Sequence, residues 1–454
     1  MKVRAHGLGS VALLSAAVLL IAACGDDDDS ADSTTVPAAT EAPATSPATE
    51  APAPATTAPE APSSTESAPA TTEAPASTEA PAAPSGDPVK VMVMGAFTGL
   101  YDTSFSFDVA KAAAQAINTA GGIQGRPMEV LTCDDQFDPN ATLDCARQAS
   151  DEGAVAIISG LALAGDYVDY AAQQGIPVIP AVGFQSAEFQ NDISFPITAG
   201  GAGLATAAIA EVLGQGVTKI SLVYDESSGV AKPAAEAAAA GLEAQGITVT
   251  NVIPMAIDLP DGSSILAAAE ADGAEGVALL VQGVQAAQFI SAADLADSAL
   301  VIGSYDLSLE PATIKTLGPA ADGVIMASSF KQLTTADDPG VQEFLAELAA
   351  YDSSLSTDDW SIPGVGLGVY AATHLAAQAA NAAATVDAAG VLAALPTITD
   401  FDIGIMAPID FSAPNANFIP GFTRIFNTKY YFNEIQDTIL VPLSPDPVDV
   451  AAAG

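Results

Sequence analysis

From Val89 onward, short apolar and β-branched runs alternate with alanine-rich stretches of helical period. "VKVMVMGAF" predicts a buried strand, and "FDVAKAAAQAINTAGG" a helix closed by glycine, which supplies a left-handed cap. The alternation continues through strand "MEVLTCDD", helix "NATLDCARQASDEG", strand "VAIISGL", helix "DYVDYAAQQG" and strand "PVIPAVG". After "GGAGLATAAIAEVLGQG" a second series begins, with strands "KISLVYDE", "ITVTNVIPMA", "GVALLVQG", "LVIGSYD" and "GVIMASSF" separated by helical stretches. Repeated strand–helix–strand units specify a parallel sheet with helices on both faces. Two such series predict an α/β protein of two Rossmann-like lobes. The later stretches "VQEFLAELAAYD" and "GVGLGVYAATHLAAQAANAAA" are helical and must pack back on one lobe, and "RIFNTKYYF" and "DTILVPL" are the last predicted strands. The length agrees, because residues 89–454 exceed the size at which one core normally keeps growing.

The first 88 residues break the pattern. Lys2 and Arg4 precede an apolar run from Val11 to Ala23 that is shorter than the roughly 20 residues a membrane span takes. A basic start, an apolar middle and small residues before a break are the parts of an export signal. In "LIAACGDDDD", Ile21, Ala22 and Ala23 directly precede Cys24, and this resembles a bacterial lipobox. That resemblance implies a lipoprotein signal peptide over 1–23, a lipid on Cys24, and an extracytoplasmic protein held to the bacterial cell membrane by that lipid alone. Residues 24–88 are mostly Pro, Ala, Thr, Ser and Glu with no aromatic residue. Such a stretch buries too little apolar surface to offset its ordering entropy, so it is expected to be a disordered tether. At about 3.1 Å per residue in polyproline II it reaches roughly 200 Å at most.

Charge narrows the partners. The formal net charge is −43, and residues 89–454 carry 43 acidic against 10 basic side chains. Nucleic acid and anionic lipid surfaces are therefore poor partners. Catalysis has little to stand on. His374 is the only histidine once the signal peptide is gone, and neither Gly-x-Ser-x-Gly nor His-Glu-x-x-His occurs. "GAGLAT", from Gly201 to Thr206, is a partial dinucleotide fingerprint that keeps an NAD-dependent enzyme as a rival reading. No catalytic residue, cofactor or metal is expected. Cys133 ends a predicted strand, and Cys145 is placed about one turn into the next helix. Outside the cytoplasm such a pair favours a disulfide over a thiol metal site. A calcium loop of Asp134, Asp135, Asp138 and Asn140 is the weaker alternative, because it lacks the Asp-x-Asp-x-Asp-Gly spacing and a distal Glu.

Further motifs carry a resemblance. A strand ends in Gly95, Thr98 and Gly99; a helix closes with Asn118, Gly121, Gly122, Ile123 and Gly125; Asp134 and Asp135 lead to Asp138, Pro139 and Ala141. In this order they resemble the type I periplasmic-binding-protein family, in its branched-chain amino-acid (Leu/Ile/Val) ABC-transporter receptor branch. The resemblance runs loosely over residues 89–445. It implies a ligand cleft between the lobes and three hinge crossings, near Gly203, Lys331 and Ala413. Lobe 1 then comprises 89–203 plus 331–412, and lobe 2 comprises 204–330 plus 413–454.

It also implies a function and a site. The function is that of a monomeric receptor of an ABC importer, without catalytic activity, handing a small molecule to a membrane permease; a ligand sensor of the same fold signalling to a membrane partner is the alternative. The family's ligand-loop serine falls on Leu163 or Ala164, and its Gly-Ala-Thr-like turn on Gly183, Phe184 and Gln185. The acidic position that holds an amino group falls near Tyr305 and Asp306. Neighbouring loops offer Ser227, Ser228, Gln282 and Gln285, with Tyr101, Asp102 and Thr103 after the first strand. Trp360 and Tyr351 stay open between cleft, lid and packing. With the hydroxyls of both first-lobe loops replaced, the balance favours a mostly apolar or neutral polar ligand, aromatic or amide-bearing, stacked on Phe184 and Tyr101.

Overall fold

The computed structural model describes residues 82–451, apart from Phe97, residues 99–101, residues 228–230, Pro260, Ala336, residues 358–359 and Ser361. Cys24, the signal and most of the tether lie outside the described residues, as do Tyr101 and Ser228.

The first series of units builds a four-stranded parallel sheet. In chain order it comprises β1 (Val89–Gly95), α1 (Phe105–Thr119), β2 (Met128–Asp134), α2 (Pro139–Asp151), β3 (Ile157–Ser159), α3 (Asp166–Gln174) and β4 (Val178–Pro180). The strand order is β2-β1-β3-β4. β1 is buried at every position but Lys90, which is why it reads as a continuous apolar run rather than an alternating one. Its register against β2 runs from Val89↔Met128 to Gly95↔Asp134. Local chemistry sets the helix ends. Asp138 caps α2 by accepting from the amides of Asn140 and Ala141, with Pro139 in the first turn. Beyond α1, Gly122 sits at φ 74°, and a Cβ there would fall 2.2 Å from the Arg126 carbonyl oxygen.

The second series begins with α4 (Gly200–Gly214). It continues through β5 (Lys219–Asp225), α5 (Ala231–Ala244), β6 (Thr248–Met255), α6 (Ser263–Glu270), β7 (Gly276–Leu280), α7 (Gly283–Leu295), β8 (Val301–Tyr305), α8 (Pro311–Leu317) and β9 (Ile325–Ser328). Three more helices follow, α9 (Pro339–Tyr351), α10 (Pro363–Ala382) and α11 (Ala388–Ala394), and then β10 (Lys429–Gln436), β11 (Ile439–Pro442) and β12 (Val448–Asp449). The second sheet is ordered β11-β10-β9-β8-β7-β5-β6, with β12 also paired to β10. β5 to β9 are parallel, whereas β10 and β11 are antiparallel additions at one side.

α9 and α10 return to the first sheet and pack on α1. α10 is apolar nearly all round because it is buried nearly all round, from Gly364 to Ala380. Trp360 belongs to this core. It is buried, stacks on Phe105 at a centroid distance of 4.8 Å, and meets Phe344 edge-on. Tyr351 packs, partly buried, against the same cluster.

Three sequence expectations shift. The strand expected over "RIFNTKYYF" starts only at Lys429, because the Thr423 and Arg424 amides both donate to the Phe189 carbonyl in the first body. α11 was not anticipated. Cys145 lies nearly two turns into α2 rather than one, yet its Cα is 5.6 Å from that of Cys133 and the two are joined as a disulfide. Two of the four residues of the calcium alternative are engaged in local structure, and among the described residues no three or more His, Cys, Asp or Glu are grouped to hold a metal ion. Asp134 accepts from the Thr98 hydroxyl and the Gln136 amide, and Asp138 caps α2. Among the described residues no helix is long and apolar enough to cross a membrane.

Candidate functional site

Open parallel sheets take ligands where the loops leave the C-terminal ends of strands. The expected site residues divide between the two sheets in that way. After β3 and β4 the loops holding Leu163, Ala164, Phe184 and Gln185 lie side by side. The Gln185 amide side chain donates to the Ala162 carbonyl at 3.0 Å, and a Cβ on Gly165 would fall 3.0 Å from that of Ala187. Leu163 and Phe184 are 41% and 46% exposed, unusual for side chains of their size. The Phe184 ring lies over Gly201 at the start of α4, where a Cβ would come within 3.0 Å of it.

Beneath these loops is a residue that sequence reasoning missed. Glu188 is fully buried in the 3-10 turn Ser186–Phe189. One carboxylate oxygen accepts from the amides of Phe184 (2.7 Å) and Gln185 (2.8 Å). The other accepts from the Tyr167 hydroxyl (2.5 Å) and the Ser159 hydroxyl (3.2 Å). Burial pushes the Glu188 carboxyl up, against the pull of these four bonds. Burial, and then the Glu188 charge, hold the Tyr167 phenol well above its usual range. The signal was present as Gln185-x-x-Glu188, a capping box, but glutamine is a rare N-cap and hides it.

The second sheet gathers its own group. Asp225, at the end of β5, accepts from Gln282 (2.7 Å), Gln285 (3.1 Å) and both the amide and hydroxyl of Ser227. Burial raises this carboxyl, but the bonds from Ser227, Gln285 and Gln282 together outweigh it and hold Asp225 below the usual carboxylate range. Gln282 also caps α7. Asp225 went unnoticed in the sequence because it reads as the ordinary polar end of a strand.

Tyr305 and Asp306 follow at the end of β8. Burial pushes the Asp306 carboxyl up to about 6, although Ser328 donates to one of its oxygens at 2.7 Å. Its other oxygen, the Ser308 hydroxyl and the Tyr430 hydroxyl are buried without a hydrogen-bond partner. Burial, and then the charges of Asp225 and Asp306, raise the Tyr305 phenol. A Cβ on Gly364, in the first turn of α10, would stand 3.5 Å from Asp306. Asp102 is exposed and accepts from the Ser104 amide.

Among the described residues no group of three or more His, Cys, Asp or Glu is arranged to hold a metal ion. His374, the one histidine among the described residues, meets Glu347 at 3.2 Å and lies 4.5 Å from the Tyr370 ring.

A family model described as periplasmic binding protein matches residues 88–436. The chain belongs to the periplasmic binding protein family. This periplasmic binding protein is similar in fold to solved structures at low identity. One is described as a fatty acid ABC transporter substrate-binding protein from Thermomonospora curvata, at 16% identity, covering 83% of this chain and 96% of that one, with a TM-score of 0.66. Another is a branched-chain amino acid ABC transporter from Thermus thermophilus with bound valine, at 17%, 80% and 96% coverage, TM-score 0.64. A third is the solute binding protein of an ABC transporter from R. palustris in complex with 4-hydroxybenzoate, at 17%, 80% and 97% coverage, TM-score 0.62. Among curated protein sequences no match is found.

Proposed function

We propose that this periplasmic binding protein is the solute receptor of an ABC importer, capturing a small organic molecule between its two sheet-centred bodies and presenting it to a membrane permease. The observation that carries this reading is the placement of the loops after β3 and β4 and after β5, β7 and β8. Each leaves its sheet at the C-terminal end, and the first pair exposes Leu163 and Phe184. The similar structures, one described with bound valine, one in complex with 4-hydroxybenzoate and one as the substrate-binding protein of a fatty acid ABC transporter, support a small organic solute. Lobe 1 comprises 89–203 plus 331–412, lobe 2 comprises 204–330 plus 413–454, and closure occurs about the crossings near Gly203, Lys331 and Ala413. The receptor works without catalysis of its own, and Leu163, Ala164, Phe184, Gln185, Gln282, Tyr305 and Asp306 line the solute's place.

The test is untargeted mass spectrometry of molecules released when the full chain, purified from its native membrane, is denatured. A stoichiometric small molecule that raises the melting temperature when added back supports the reading. No such molecule, with no thermal shift from a broad metabolite library, overturns it. Attachment through a lipid on Cys24 is part of the same proposal. Cys24→Ala should release the protein from membranes or block its processing, and unchanged membrane association would refute the anchor.

A further inference from the structure

The last passage of the chain between the two bodies is long, and it is held down along much of its length. Phe411 still belongs to the first body, where it is buried and its amide donates to the Ile398 carbonyl. β10 begins only at Lys429. In between, the amides of Thr423 and Arg424 both donate to the Phe189 carbonyl at 2.9 Å, and the Gln190 side chain donates to the Gly421 carbonyl at 3.1 Å. Arg424 Nε donates to the Ser194 carbonyl at 3.0 Å. The Arg424 guanidinium lies over two rings, 4.6 Å from the centroid of Phe195 and 4.9 Å from that of Phe426. Phe422 stacks on Phe189 at 4.8 Å, and Ile425 is fully buried in a cluster with Phe189 and Ala199. Every partner named here outside the segment lies between Phe189 and Ala199, on the first side of α4.

The partners change at Asn427. The Thr428 hydroxyl donates to Asp449 at 2.7 Å, the Thr428 carbonyl accepts from the Val450 amide, and Lys429 pairs with Asp449 of β12. These partners all belong to the second body. Asn427 itself is buried; its side-chain oxygen accepts from the Lys429 amide, while its Nδ2 has no hydrogen-bond partner. The other two passages change hands over similarly few residues. The Gly201 amide donates to the Gly183 carbonyl, whereas a Cβ on Gly203 would fall 2.2 Å from the Tyr430 hydroxyl. Ser328 pairs with Tyr431, whereas Phe330 bridges to Met406 and the Lys331 amide donates to the Ile405 carbonyl. Tyr430 and Tyr431, just past Asn427, therefore stand beside both other passages.

We propose that residues 413–426 form a strap clasped to the first body by Arg424, and that the third pivot of the hinge is Asn427. This rests on the receptor reading above and refines it, because the strap then travels with lobe 1 although its crossing begins near Ala413. A hinge turns at the few residues whose two sides are bonded to different bodies, since every bond that spans the motion has to break. Turning near Ala413 would break the bonds to Phe189, Gln190 and Ser194 and lift the Arg424 guanidinium off its rings. Turning at Asn427 leaves all of them in place. One strap side chain reaches across: Phe418 packs, partly buried, against both the Phe189–Ile425 cluster and the Leu204–Tyr430 cluster. It is the sliding contact between strap and second body.

Two arms test it on the full chain. The first places spin labels in pairs through Gln148→Cys on the first body, Glu243→Cys on the second and Ala416→Cys on the strap, three exposed positions. Distances are measured on protein as purified and after unfolding, dialysis and refolding, which strips bound molecules. The 148–416 distance is expected to be single and narrow, and 243–416 to spread as widely as 148–243. A 148–416 distance as broad as 148–243, or a narrow 243–416 beside a broad 148–243, overturns the strap. A narrow 148–243 distance in both samples overturns the hinge of the receptor reading and the pivot with it, and leaves the clasp to the second arm. That arm follows hydrogen exchange by mass spectrometry. Wild-type peptides spanning 419–426 are expected to exchange slowly, and Arg424→Ala to speed them about 10-fold or more while β1 and β5 peptides stay unchanged. Arg424→Lys, which keeps a cation over the rings but loses the Nε–H, is expected to fall between the two. Unchanged exchange in a folded Arg424→Ala variant overturns the clasp. If that variant does not fold, the wild type decides: exchange over 419–426 at the rate of a free chain overturns the clasp, and slow exchange supports it.

Discussion

Reducing the Cys133–Cys145 bridge should lower stability by an amount that follows from the loop it closes. The two residues are 12 apart in sequence. On the chain-entropy model a ring of about 13 residues restricts the unfolded chain by roughly 10 cal/mol/K, or about 3 kcal/mol at 25 °C. Melting entropy scales as about 2.1 cal/mol/K per residue, so if some 370 residues unfold together the melting temperature drops by about 4 °C. If the first body, roughly 200 residues, unfolds alone, the same energy gives about 7 °C. Differential scanning calorimetry on oxidised and reduced wild type separates these cases, because the number of transitions is read directly. The Cys133→Ala/Cys145→Ala variant should fall further than the reduced wild type. Cys145 is fully buried against Met92, Ala146 and Tyr167, and losing its sulfur leaves a small void. Reduced and oxidised protein melting within 1 °C of each other would refute the entropic reasoning. Two titratable thiols in protein taken from its native envelope would refute the bridge itself.

Asp135 is fully buried with one carboxylate oxygen unpartnered, and burial raises its pKa from 3.8 to about 6. Below pH 4 the folded and unfolded states both hold the proton; between about 4 and 6 only the folded state does, so stability falls as pH rises through that window and stays low above it. Asp135→Asn should therefore gain about 1–3 kcal/mol at pH 7 in urea titrations and lose much of the slope between pH 4 and 6; a variant with the wild-type slope would show that Asp135 is not its source. Some slope of the same sign should survive, because burial also raises Asp306 to about 6. Gly340→Ala should destabilise by about 2 kcal/mol or more, since its Cβ would stand 2.3 Å from the backbone carbon of Gly404, and a change under about 0.5 kcal/mol would contradict that contact. Phe184→Ala should leave stability within about 0.5 kcal/mol, because the ring is half exposed, while weakening the solute found by mass spectrometry at least 10-fold in calorimetric titration; undisturbed affinity would remove Phe184 from the site.

Periodicity alone carried the two sheets, because a strand buried on both faces can only be a continuous apolar run and each crossover helix can only be amphipathic or wholly buried. β1, β5 and α10 are legible for that reason. The cysteine pair was legible too, since spacing and compartment limit what two thiols can do. Other features depend on partners far away in the chain. Trp360 reads as a polar-loop aromatic until Phe105 and Gly366 close around it. The start of β10 was misplaced because the backbone of Thr423 and Arg424 bonds to Phe189, more than 200 positions earlier. Glu188 looks like one more acid in an acidic chain. Only the folded molecule brings Ser159, Tyr167 and the Phe184–Gln185 amides around it, and a buried carboxylate is set by the donors that surround it, which no local pattern can count.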